Sequence, residues 1–78
     1  MKARIYVTLK REVLDPQGDA VKHALGALGF EGVKDVRVGK LVEIELDGAS
    51  DDARKAALRS MCEKLLANPV IENFEVVT

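Results

Sequence analysis

Apolar and polar residues alternate strictly at the start of the chain. Ile5, Val7 and Leu9 share one parity, and Arg4, Tyr6, Thr8 and Lys10 share the other, which predicts a half-buried strand over Ala3 to Lys10. The period changes at Asp15-Pro16. Asp15 is a side-chain acceptor placed to cap a helix, and Pro16 suits the first helical position because its missing N–H has no intrahelical partner there. Val21, Ala24, Leu25 and Leu28 then fall on one stripe at 100° per residue, with Asp19, Lys22, His23 and Gly26 opposite. Gly29 is placed to end the helix.

Two further apolar alternations, Val33 to Val38 and Val42 to Leu46, flank Gly39-Lys40. They read as a hairpin. A three-residue loop sets Val38 opposite Val42 and Val36 opposite Ile44, keeping the β-branched side chains on one face. Asp47-Gly48-Ala49-Ser50 follows as a turn, and Ser50 or Asp51 caps a second helix whose apolar stripe is Leu58, Met61, Cys62 and Leu65. Asn68-Pro69 breaks that helix, because the residue before proline is pushed towards extended geometry. Val70 to Val77 is the last predicted strand. The order β-α-β-β-α-β predicts an α+β, ferredoxin-like split arrangement. Its four-stranded antiparallel sheet carries both helices on one face, in one domain spanning 1–78.

Composition narrows what such a domain does. Twelve basic and thirteen acidic residues are interspersed, for a formal net charge of −1. No basic stripe marks a nucleic-acid surface, and Tyr6 is the only aromatic on a central strand, so the stacking platform of an RNA-binding sheet is missing. No apolar run approaches the length of a membrane span. No leader pattern opens the chain, and a single cysteine fits a reducing compartment, so the expected location is the cytoplasm. Chains this short lean on disulfides, a metal or a partner. One cysteine excludes an internal disulfide, and one histidine with one cysteine leaves no zinc cage of the usual kind. A partner is the option left.

The candidate chemistry is sparse. His23 falls on the polar side of the first helix with no orienting group. Cys62 sits within an apolar stripe late in a helix, where a thiol is a small hydrophobe and not a nucleophile. Gly26, Gly29 and Gly32 lie at a helix end, whereas phosphate-binding glycines precede a helix. Asp51-Asp52 suits a helix N-terminus, and Glu43 with Glu45 forms the polar side of a strand. Neither pair forms a metal site. No catalytic, cofactor-binding or metal-binding residue is assigned.

Three segments carry a family resemblance. They are Val13-Leu14-Asp15-Pro16-Gln17-Gly18 with Ala20-Val21 and Ala24-Leu25; Val36-Arg37-Val38-Gly39-Lys40; and Cys62-Glu63-Lys64-Leu65-Leu66-Ala67-Asn68-Pro69-Val70-Ile71-Glu72. In this order and spacing the chain resembles the PurS family, the small subunit of bacterial and archaeal phosphoribosylformylglycinamidine synthase. The resemblance implies a non-catalytic subunit of an ATP- and glutamine-dependent amidoligase complex in de novo purine synthesis. A glutaminase subunit releases ammonia, and a large synthetase subunit adds it to formylglycinamide ribonucleotide. ATP, magnesium and glutamine are then used by the partner subunits, with no cofactor on this chain. The family member is a homodimer that bridges the two larger subunits and supports ammonia transfer. Three turns become candidate subunit contacts: Asp15, Pro16, Gln17 and Gly18; Arg37, Gly39 and Lys40; and Asn68, Pro69 and Glu72. The alternative on the same topology is a small-molecule-binding regulatory module of ACT type.

Overall fold

A computed structural model describes residues 1–48 and 51–78. Ala49 and Ser50, part of the expected turn before the second helix, lie outside the described residues. Six elements follow in order. They are β1 (Lys2–Leu9), α1 (Pro16–Ala27), β2 (Lys40–Glu45), α2 (Asp52–Met61), a π-helical turn (Cys62–Leu66) continuing α2, and β3 (Glu72–Val77).

The alternation in β1 does what its parity requires. Ala3, Ile5 and Val7 are buried, while Lys2, Arg4, Tyr6 and Thr8 are exposed. β1 is central in a three-stranded antiparallel sheet of order β2-β1-β3. Ile5 lies opposite Val42 on one side and Val76 on the other. One face of this sheet packs against Leu58 and Cys62 of α2 and its continuation, and against Ala67. Val42, Ile44, Leu46, Met61, Leu66, Phe74 and Val76 rim that core. Asp51 caps α2 by accepting from Arg54 N at 2.8 Å, and pairs with the Arg54 guanidinium at the same distance. Arg59 stands 5.8 Å above the Phe74 ring, joining α2 to β3 through a cation–π contact.

The π-helical turn changes the phase of α2. Ala67 N donates to Cys62 O at 2.9 Å, five residues back. The wider turn brings Leu66 against the core and turns Leu65 to solvent, 83% exposed. The 3.6-residue period had placed Leu65 in the buried stripe with Leu58. That stripe holds through Cys62 and fails at the π turn.

The expected hairpin and four-stranded sheet are also corrected. Among the described residues the sheet has three strands. The chain passes from Phe30 into β2 with no turn or bend, so Gly39-Lys40 does not reverse it. Residues 33–38 therefore never return alongside β2. The helical layer differs in the same way. α1 begins at its Asp15-Pro16 cap and ends at Gly29, whose φ of 92° closes a Schellman motif through Phe30 N to Leu25 O and Gly29 N to Gly26 O, both 3.1 Å. Its body, however, contributes no described residue to the core; Val21 and Leu28 are exposed. Among the described residues, only α2 with its π-helical continuation covers the sheet. α1 and residues 30–38 form an arm beside it, and the molecule measures 48 × 24 × 15 Å.

Candidate functional site

The three motif turns are wired together by backbone-directed hydrogen bonds. Asp15, 5% exposed, uses both carboxylate oxygens. Oδ1 accepts from Gly18 N at 3.0 Å, capping α1, and Oδ2 accepts from Val38 N at 2.6 Å. One side chain thus ties the start of α1 to the segment entering β2. These two hydrogen bonds, the Gly18 one foremost, hold the Asp15 carboxyl below its ordinary value of 3.8. The positive charge of Arg37 adds to them, against the opposing effect of desolvation. Arg37 crosses the same junction from the other side. Its Nη2 donates to Lys10 O at 2.8 Å and Val13 O at 2.9 Å, fastening the loop before α1. Lys10 N donates in turn to Ile71 O at 2.8 Å, linking that loop to the turn before β3.

Gly18 and Gly39 are required by close backbone approach. A Cβ on Gly18 would run into the Val36 carbonyl and come within 2.8 Å of Asp15 Oδ2. One on Gly39 would sit 2.5 Å from Val7 O. The Asn68 turn is closed on itself. Asn68 Oδ1 accepts from Val70 N at 3.0 Å, and Asn68 O accepts from Glu72 N at 2.7 Å. Glu72 Oε1 in turn accepts from Asn68 N at 2.7 Å.

The candidate residues therefore divide in two. Asp15, Gly18, Arg37 and Gly39 are spent on internal structure. Pro16, Gln17 and Lys40 are exposed and line one depression with Glu72, floored by Val7 and Leu9. Asn68 and Pro69 are exposed on the far side of their turn and do not line it. The first and second motifs thus meet, joined by one residue of the third. The acceptors that Arg37 uses, the carbonyls of Lys10 and Val13, carry no residue-type signal and were not legible in the sequence.

Acid titration reads out the Asp15 junction. A carboxyl whose folded pKa is depressed contributes stability above its unfolded pKa and loses it as pH falls through the folded value. Asp15 and Asp51, the latter held low first by the Arg54 N–H, both make the fold less stable as pH drops below about 4. Asp15→Asn should flatten that part of the melting temperature against pH. It should also lower stability at pH 7, because an amide offers one acceptor oxygen where Gly18 N and Val38 N need two. Thermal melts of both proteins between pH 2 and 7 check this; an unchanged acid slope contradicts it.

Among the described residues no catalytic constellation accompanies these contacts. His23 is exposed on α1. Cys62 is fully buried, and burial pushes its thiol above the ordinary value of 9.0, so it stays protonated at neutral pH. Among the described residues no group of three His, Cys, Asp or Glu side chains is placed to hold a metal ion. No helix there is long and apolar enough to cross a membrane.

The family model for PurS, phosphoribosylformylglycinamidine (FGAM) synthase, matches residues 2–78. The phosphoribosylformylglycinamidine synthase subunit PurS of Bacillus subtilis is 49% identical over 73 residues, 94% of this chain and 86% of that protein. Its counterpart in Methanocaldococcus jannaschii is 41% identical over 75 residues, covering 96% and 90%. Among solved structures, Bacillus subtilis PurS superimposes with a TM-score of 0.85 at 46% identity, covering 97% of this chain and 94% of that one. A chain of PurLQS from Thermotoga maritima superimposes with a TM-score of 0.87 at 32% identity, covering 97% and 93%. On this agreement of sequence, length and fold, the chain belongs to the PurS family of phosphoribosylformylglycinamidine synthase subunits.

Proposed function

We propose that this chain acts as a homodimeric, non-catalytic joint in the phosphoribosylformylglycinamidine synthase complex of purine biosynthesis. It bridges the glutaminase and synthetase subunits and supports the passage of ammonia between them. ATP, magnesium and glutamine are handled by those partners, and the complex works in the cytoplasm. The observation that carries this reading is the junction itself. Asp15, Gly18 and Arg37 are used to hold a fixed surface, which presents Pro16, Gln17 and Lys40 outward beside the half-buried Glu72. The presence of a relative of the same fold in PurLQS of Thermotoga maritima fits that role.

Reconstitution tests it. Purified synthetase and glutaminase subunits should form the amidine product from glutamine only when this chain is added. Gln17→Ala should leave the fold and the dimer intact but raise the amount of chain needed for half-maximal activity about tenfold, as expected for about 1.4 kcal/mol of lost contact energy. Arg37→Ala is a poorer probe, because it removes two internal hydrogen bonds along with any surface role. Full glutamine-dependent activity without the chain overturns the proposal, and unchanged titration by the Gln17 variant removes that residue from the contact.

A further inference from the structure

The last strand leaves its outer side open. β3 ends the sheet order β2-β1-β3. Its register with β1 runs unbroken from Glu72 to Val77, with no bulge. The strand contains neither Pro nor Lys, two residues that commonly close an edge to other chains.

The phase of the backbone decides which groups face outward. Lys10 N donates to Ile71 O at 2.8 Å, so in this register the odd-numbered residues of β3 exchange hydrogen bonds with β1. Phe74 and Val76 then turn their N–H and C=O groups to the open side. The Asn68 turn occupies only the N–H of Glu72. Among the described residues, no strand or loop takes the outward groups of Phe74 and Val76.

Two cations stand beside this row. Lys55 and Arg59, exposed one turn apart on α2, line a depression with Val76. Arg59 lies over the Phe74 ring. Like charges at this spacing weaken a helix. Among the described residues neither cation is in an ion pair. Glu75, between Phe74 and Val76, is exposed on the other face of the sheet and is also unpaired there.

We propose that the β3 edge takes an extended acidic segment of one of the larger subunits as an added strand. Residues of that segment opposite Phe74 and Val76 carry their side chains on the α2 side, where carboxylates meet Lys55 and Arg59. The residue between them faces Glu75 and is neutral or basic. A second copy fits this edge badly. Two β3 strands paired about a two-fold axis bring two Lys55–Arg59 pairs together and, centred on Glu75, set Glu75 against itself. The edge gives the joint a second surface, lined by residues other than Pro16, Gln17 and Lys40, and the proposal rests on the bridging role above.

Hydrogen exchange on the wild-type chain tests the pairing. The Phe74 and Val76 amides should exchange freely in the chain alone. They should slow by at least about tenfold in the active complex reconstituted with synthetase, glutaminase, ATP, magnesium and glutamine. Lys55→Glu, on an exposed helix surface, should leave the melting temperature unchanged. It should raise the amount of chain needed for half-maximal activity about tenfold, a difference that shrinks in about 0.5 M salt. Equal exchange of both amides in the free chain and the active complex overturns the strand addition. Unchanged titration by Lys55→Glu overturns the acidic character of the segment. Slow exchange in the chain alone that is lost on dilution assigns the edge to a second copy and overturns the proposal. Activity that needs the chain while β3 stays unprotected defeats this inference alone; activity without the chain defeats the bridging role as well.

Discussion

Truncating Leu58 to alanine is expected to cost about 3–4 kcal/mol of folding stability. Leu58 is fully buried and lies in the one layer where α2 meets β1, in a cluster with Ile5, Val7 and Cys62. The cavity left behind has no neighbouring layer to collapse from, because α1 does not reach this face within the chain. Small proteins have only about 5–15 kcal/mol of net stability, so the loss is a large fraction of the whole. Denaturant unfolding followed by circular dichroism, at fixed protein concentration, measures it. Leu65→Ala is the internal control. It removes the same atoms from a side chain that is 83% exposed, and should change stability by less than about 0.5 kcal/mol. Equal costs at the two positions would mean that the helix continues through Leu65 without the π turn.

Gly18→Ala is the second large effect, and its sign is the informative part. Glycine to alanine in a helix ordinarily gains up to about 1 kcal/mol. At Gly18 the new methyl has nowhere to go. It meets the Val36 carbonyl and Asp15 Oδ2, atoms held by the hydrogen bonds that anchor the arm. A loss of about 2–3 kcal/mol is expected, as overpacking against backbone requires. Gly26 lies in the same helix with open space around its missing Cβ, and Gly26→Ala should be neutral or stabilising. Opposite signs for the two variants in one unfolding experiment establish that α1 is pinned at its first turn and free along its body. Two stabilising results contradict the junction.

Much of this architecture was legible in the residues. The β1 alternation gave the right buried parity at Ala3, Ile5 and Val7. Asp15-Pro16 and Gly29 bounded α1 correctly because capping is local chemistry, decided by one side-chain oxygen and one positive φ. Cys62 was rightly placed in the core. The hairpin failed for a specific reason. Val36, Val38, Val42 and Ile44 keep the same parity whether the chain reverses through a three-residue loop or runs straight on, so alternation does not separate the two. Leu65 failed because a π turn inserts an extra residue into a period assumed constant. The division of the motif residues into internal and exposed was beyond reach for a third reason. It depends on carbonyl groups at Lys10, Val13 and Val36, and every residue carries a carbonyl.

The π-helical turn at Cys62–Leu66 also bears on how this chain would tolerate a change of length. An α-helical turn takes 3.6 residues to rotate once, and the i to i+5 bond from Ala67 N to Cys62 O closes a turn with one more. Cys62 at its start and Ala67 just after it are both anchored in the core, while Leu65 inside it touches solvent. Loss of one residue here converts the turn to an ordinary α turn and leaves its two ends on the same face. Elsewhere in α2 a deletion would rotate every later side chain by about 100° and drag Asn68-Pro69 and β3 out of place. This turn is therefore the point within the helical layer where removing one residue would leave the core contacts on either side in place.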